Sequence, residues 1–176
     1  MRTLFHLLLI VSAISVVSAQ ENPRNAPDLP VFQALAGKRT ESGILIPEMN
    51  GQPLQGKAIS VGQPVLGGLW FQIDGSANYG PAKWVYRWMF RFIERDGQNK
   101  LFATYYDTIG QKIDYEGRWV EEDQQAQLVG KLANGGTARY QLTLGEEGSV
   151  RIESVVSDAD GNASATYSAR NVAAAE

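Results

Sequence analysis

The chain has no cysteine and a single histidine, His6, among 176 residues. Without cysteine there is no disulfide framework and no thiolate nucleophile or thiolate metal ligand. His6 falls within an N-terminal stretch that has the form of a secretory signal: Arg2 supplies the positive start, Leu4 to Val17 is apolar apart from His6, Ser12 and Ser15, and Val17-Ser18-Ala19 gives a small-x-small cleavage pattern. The expected mature chain begins at Gln20 and has neither histidine nor cysteine. That excludes Ser-His-Asp and Cys-His nucleophiles, zinc sites of the usual ligands and histidine-ligated haem. Charge of one sign is also scarce, with 16 Lys and Arg against 19 Asp and Glu, a net −3 that becomes −4 once Arg2 is removed. Such a balance suits solubility and argues against binding a phosphate backbone, so nucleic acid is not an expected partner. An uncut anchor is the alternative, but the Leu4 to Val17 run is short of the roughly 20 apolar residues a spanning helix needs, and a lipid anchor would need a cysteine after the cleavage point. The expected location is the periplasm or the extracellular space, without a stable membrane anchor. No cofactor is called for.

What is present is alternation. Residues 20–31 hold three prolines, Pro23, Pro27 and Pro30, and read as a leader, mobile or ordered on contact. Leu29 to Ala36 suits a short helix stopped by Gly37, and a first strand follows over 38–46. After a loop through Pro47, Asn50, Gly51 and Pro53, the pattern is β from Gly56 onward. Trp84, Tyr86, Trp88, Phe90 and Phe92 share one face, with Lys83, Arg87, Arg91 and Arg95 on the other. The same period of two continues through Ile113-Tyr115-Gly117-Trp119, Ala126-Leu128-Gly130-Leu132, Ala138-Tyr140-Leu142-Leu144, Val150-Ile152-Ser154-Val156 and Ala163-Ala165-Tyr167-Ala169.

Turn lengths test the register, because a one-residue slip turns every apolar side chain outward. Odd loops are required at Thr108-Ile109-Gly110, Asn134-Gly135-Gly136 and Glu146-Glu147-Gly148, and each ends in glycine, the residue suited to a left-handed position. Even loops are required near Gly97, Asp123 and Asp160-Gly161. The expected register sets Gly117 opposite Leu128, Gly130 opposite both Tyr115 and Tyr140, and Ala165 opposite Ser154. The fold predicted is all-β: an antiparallel up-and-down meander of eight to ten strands, closed into a barrel because closure removes exposed edges. One domain over 32–171 and a short disordered tail over 172–176 complete the division.

Phe32-Gln33-Ala34-Leu35-Ala36-Gly37 leading into a strand resembles the entrance of calycin barrels. Val65-Leu66-Gly67-Gly68-Leu69-Trp70, the Phe90 to Asp96 strand end, Tyr106-Asp107-Thr108-Ile109-Gly110 and Tyr115-Glu116-Gly117 resemble, in order, the exported domain-of-unknown-function family 1579. The resemblance spans 32–170 and implies a lipocalin-like barrel with no assigned activity.

Five of the seven tyrosines, with Trp84, Trp88 and Trp119, fall on the dry face. Trp88, Tyr105, Tyr115, Tyr140 and Tyr167 are therefore the candidate lining of a site for a small hydrophobic ligand; large residues packed against small ones in a filled core is the other reading. Asp107 opening a loop that ends in Gly110 is what a turn demands, and only Asp107 and Glu94 lie where a carboxyl could approach the interior. Glu121-Glu122-Asp123 and Asp158-Ala159-Asp160-Gly161 lack the full ligand spacing of a calcium loop and read as solvated turns. The Lys83-Arg87-Arg91-Arg95 stripe is expected to pair with carboxylates of the same wet face, such as Asp114 and Glu116. Asn162-Ala163-Ser164 matches a glycosylation acceptor. An exported ligand-binding barrel is the first expectation, a non-catalytic structural or protein-interaction module the second, and an enzyme the third.

Overall fold

The computed structural model describes residues 24–47, 51–95 and 98–175. The signal segment, the expected start at Gln20 and the turn at Gly97 lie outside them. Ten strands form one closed antiparallel barrel: β1 Gly37–Ile46, β2 Leu54–Val65, β3 Trp70–Tyr79, β4 Ala82–Arg95, β5 Gln98–Asp107, β6 Lys112–Val120, β7 Gln125–Lys131, β8 Thr137–Leu144, β9 Val150–Ser157 and β10 Ala163–Ala173. Every sequential pair is hydrogen-bonded, and β1 against β10, from Arg39↔Ala173 to Ile46↔Thr166, completes the ring. Val172 and Ala173, assigned to the expected tail at 172–176, pair with β1 instead.

One end is plugged from within. Ala26–Asp28 makes a 3-10 turn and Pro30–Ala34 a short helix, α1. The segment expected as a leader is packed from Ala26 on: Ala26, Leu29, Val31 and Phe32 are fully buried. Phe32 places its ring 5.2 Å from that of Phe71 and 4.8 Å from that of Phe90. Proline at the first helical position needs no amide partner, which lets so short a helix start at the barrel wall. Pro30 and the buried apolar run, rather than helix propensity, hold it there, since five residues are too few for an isolated helix.

The odd and even sorting of side chains is as the sequence indicates, with Phe90, Leu101, Tyr115, Trp119, Leu128 and Leu142 among the buried set. The β5–β6 hairpin keeps dry face against dry face across its three-residue loop, with Tyr105↔Ile113, Ala103↔Tyr115 and Leu101↔Gly117, and Gly117↔Leu128 is as anticipated. Two hairpins differ from expectation. In β7–β8 the three-residue loop is Ala133-Asn134-Gly135, with Gly135 at φ 85° and Leu132 N–H donating to the Gly136 carbonyl. The register moves accordingly, and Tyr140 faces Leu128 while Gly130 faces Ala138. Asn134 explains the choice, because its Oδ1 accepts the Gly136 N–H at 3.1 Å. In β9–β10 the loop is odd rather than even: Ala159-Asp160-Gly161, with Asp158 Oδ1 accepting from Asp160 and Asn162. A β-bulge between Ala163 and Ala165 restores the inward face, so Ala165 meets Val156 and Tyr167 meets Ser154.

The wet-face stripe pairs, though with different partners. Arg87 holds Asp74 on β3 through Nε at 2.6 Å and Nη2 at 3.3 Å, while Arg91 lies 5.6 Å from the centre of the Trp70 ring. Asp114 is taken by Lys112 and Glu116 by Lys100, each at 3.2 Å.

Candidate functional site

Above the α1 plug, bounded below by Leu35, the barrel encloses a cavity of about 420 Å³ that reaches the surface past Pro47, Ile109 and Gln111. Small-molecule sites typically occupy roughly 300–1,000 Å³. All five candidates from the sequence, Trp88, Tyr105, Tyr115, Tyr140 and Tyr167, line it. Trp88 is the hub: its ring lies 4.8 Å from Tyr105, 5.2 Å from Tyr115 and 4.3 Å from Tyr140. These rings come from β4, β5, β6 and β8, so the cluster exists only in the closed meander. Tyr167, on β10, stands apart against Tyr79 at 5.5 Å, edge to face.

Room for the rings comes from small residues on the same inward rows. Gly75 faces Tyr86 directly across β3 and β4, and a Cβ there would collide with the tyrosine ring. Ala77, Ser60, Ser154 and Ala165 contribute short side chains to the cavity wall.

The interior also holds a carboxyl that the sequence reading missed. Glu41 lies on β1 with Arg39 on the same inward row, at 7 % and 6 % exposure. The Tyr167 hydroxyl donates to Glu41 Oε1, and the Tyr79 hydroxyl lies 2.8 Å from that of Tyr167. Because Tyr167 has one proton and gives it to Glu41, Tyr79 is the donor to Tyr167. Asn171 also faces Glu41, and its Oδ1 accepts from Arg39 Nε at 2.8 Å. Arg39 Nη2 reaches the Gly148 carbonyl at 2.7 Å at the plugged end. Burial pushes Glu41 above the ordinary carboxyl value, against the opposing pull of the Tyr167, Asn171 and Tyr79 side chains around it. Expecting only Asp107 and Glu94 to approach the interior is thus corrected: Glu94 lies at the plugged end, 4.0 Å from Arg24, and Glu41 is the deep carboxyl. The signal for it was weak, since β1 carries Ile44, Leu45 and Ile46 in succession and does not declare its dry face. Tyr79, Ser60 and Asn171 escaped notice for the same lack of an apolar alternation at their positions.

The tyrosine hydroxyls differ in their partners. Among the described residues, none is hydrogen-bonded to the hydroxyls of Tyr115 or Tyr140, and both lie on the cavity. Burial raises both, with Glu41 adding to the effect at Tyr140. Tyr79 is raised to about 12, first by burial. At neutral pH these groups are protonated donors.

Asp107 sits at the mouth. Its Oδ1 accepts the Ile109 and Gln111 N–H groups at 3.0 and 2.9 Å, which is the turn role expected of it. Its Oδ2 is buried and makes no hydrogen bond among the described residues.

A ten-stranded up-and-down barrel, plugged by a short helix and holding an aromatic-lined cavity, is lipocalin-like in fold. Among solved structures, the fold is similar to an S-type phycobiliprotein lyase, CPES from Guillardia theta, at a TM-score of 0.58 and 9 % identity, over 82 % of this chain and 91 % of that one. No protein-family model matches the chain, and no curated protein does. The likeness shared with the lyase is one of fold.

Proposed function

We propose that this chain is an exported lipocalin-like domain that takes a small apolar or aromatic molecule into its barrel. The observation that carries the reading is the 420 Å³ cavity with Trp88 at its centre and two tyrosine hydroxyls, Tyr115 and Tyr140, free to donate into it. A core packed for stability alone fills such space, because interiors pack at crystal-like density and voids cost free energy. A fold shared with a protein titled a phycobiliprotein lyase supports the reading to the extent that both are lipocalin-like barrels. The turn motifs that resemble family 1579 bring no activity with them. Tryptophan fluorescence of the chain beginning at Gln20, titrated with apolar and aromatic compounds and haem, tests the proposal. Saturable quenching by at least one compound is expected, and silence across the whole panel overturns it. Export is tested by the mass of the protein recovered from its host: a chain starting at Gln20 supports it, and one retaining Met1 or Arg2 contradicts it.

A second reading, a protein-interaction module, has one observation in its favour. On the outer face Ile59, Val61 and Val85 are 51 %, 46 % and 55 % exposed, and Ser76 pairs with both Ile59 and Val85. Isolated exposed apolar residues are ordinary on a protein surface, so the cavity takes precedence.

A further inference from the structure

Resting on the ligand-binding reading, we infer that the cavity selects ligands bearing a cationic nitrogen on an apolar or aromatic body, and that Asp107 at the mouth is the group that recognises that nitrogen.

The cavity is one-signed. Glu41 and Asp107 line it, and no lysine or arginine does among the described residues. Glu41 is already provided for: Tyr167 donates to it, Asn171 faces it, and Arg39 lies two residues away on the same inward row. Asp107 is half provided for. Its Oδ1 closes the turn, and its Oδ2 is a buried acceptor left without a donor. The Tyr105 hydroxyl is a protein donor in reach of this carboxyl, yet among the described residues no hydrogen bond to Oδ2 is closed. Lys112, the nearest cation along the chain, is engaged on the outer face with Asp114 at 3.2 Å. A buried unsatisfied acceptor is costly and calls for an explanation, and a donor brought by a ligand is one.

The rings around Asp107 fit the same chemistry. Tyr86 is its direct cross-strand partner, Tyr105 is two residues before it on the same inward row, and Trp84 is two residues before Tyr86. Tyr86 and Tyr105 stack at 6.3 Å. Ring faces beside a carboxylate attract an organic cation through their quadrupoles, with the gain largest where water is excluded. An anionic ligand meets the opposite conditions: two carboxyls, no cation on the wall, and desolvation of its own charge.

Calorimetric titration of the chain from Gln20 with three compounds of one shape tests this: 2-naphthylmethylamine, 2-naphthalenemethanol and 2-naphthoic acid, at pH 7. The expected order is amine over alcohol over acid, with the amine at least about tenfold tighter than the acid. Asp107→Asn keeps an oxygen for the Ile109 and Gln111 amides. It is expected to remove the amine's advantage over the alcohol. An acid binding as tightly as the amine overturns the inference and leaves the ligand-binding reading standing, as does an Asp107→Asn variant with undiminished amine preference. Failure of all three compounds to bind overturns the inference, and it overturns the ligand-binding reading as well only where the fluorescence panel is also silent. If Asp107→Asn does not fold, the order measured with the unaltered chain decides.

Discussion

The hydroxyl of Tyr79 on β3 lies 2.8 Å from that of Tyr167 on β10, although β1 and β2 stand between those strands in the wall. The contact crosses the seam where the first and last strands close the barrel, and it ends on Glu41 of β1. A polar chain therefore fastens the closure from inside. Tyr167→Phe removes the donor to Glu41 and the acceptor for Tyr79, leaving two buried groups short of a partner. A loss of about 1–3 kcal/mol in urea unfolding is expected. An unchanged midpoint would show that the chain contributes nothing.

Glu41 also sets a pH dependence. Its carboxyl in the folded chain is held above the ordinary 4.5, so over the interval between those values the folded state binds a proton that the unfolded state has released. The stabilising contribution is complete below the ordinary value and is lost as pH rises through the raised one. Asp74, Asp114 and Asp158 are lowered from 3.8 and act in the reverse direction, supporting the fold above that value and losing the support as pH falls. The difference in unfolding free energy between Glu41→Gln and the unaltered chain isolates the first effect. It should move in favour of the glutamine variant as pH increases; a flat difference would contradict the burial of this carboxyl.

Tyr140→Phe separates binding from packing. The hydroxyl has no hydrogen-bond partner among the described residues, so its removal should change stability by less than about 1 kcal/mol, while weakening any ligand that accepts a hydrogen bond from it. Chemical denaturation and ligand titration on the same variant check both halves. A large stability loss with unchanged affinity would mean that the hydroxyl serves the fold.

Gly75→Ala tests the fit of ring against backbone. The added methyl would meet the Tyr86 ring, and Tyr86 is packed against the core and lines the cavity. Displacing it should cost about 1–3 kcal/mol, the usual penalty for overpacking. At the other end, Phe32→Ala should cost about 3–5 kcal/mol by emptying the space between Phe71 and Phe90. Thermal unfolding of the two variants is the check, and losses below 1 kcal/mol in either would contradict the packing described.

The barrel was legible because from Trp84 onward each strand concentrates its apolar and aromatic residues on one face, and a period of two leaves little choice. Turn registers were less so. Asn134 and Asp158 each accept amides two or more residues ahead, and such side-chain capping selects the loop more strongly than the position of glycine does. The aromatic half of the cavity followed from the same alternation. Its polar half did not, because Arg39 and Glu41 point inward from a strand whose apolar residues occupy both parities, and only the pairing of β1 with β10 settles its face. The packed Ala26 to Val31 segment was obscured by its prolines, which suit a loop and a helix start equally.

The most direct test of the cavity as a binding site is to fill it. Ser154 lines it from β9, where a phenylalanine has open space to enter. Ser154→Phe should keep or raise the thermal midpoint while abolishing the titration of whichever compound quenches the tryptophan fluorescence of the unaltered chain. A folded Ser154→Phe that still binds that compound with unchanged affinity would place the ligand elsewhere and contradict the account.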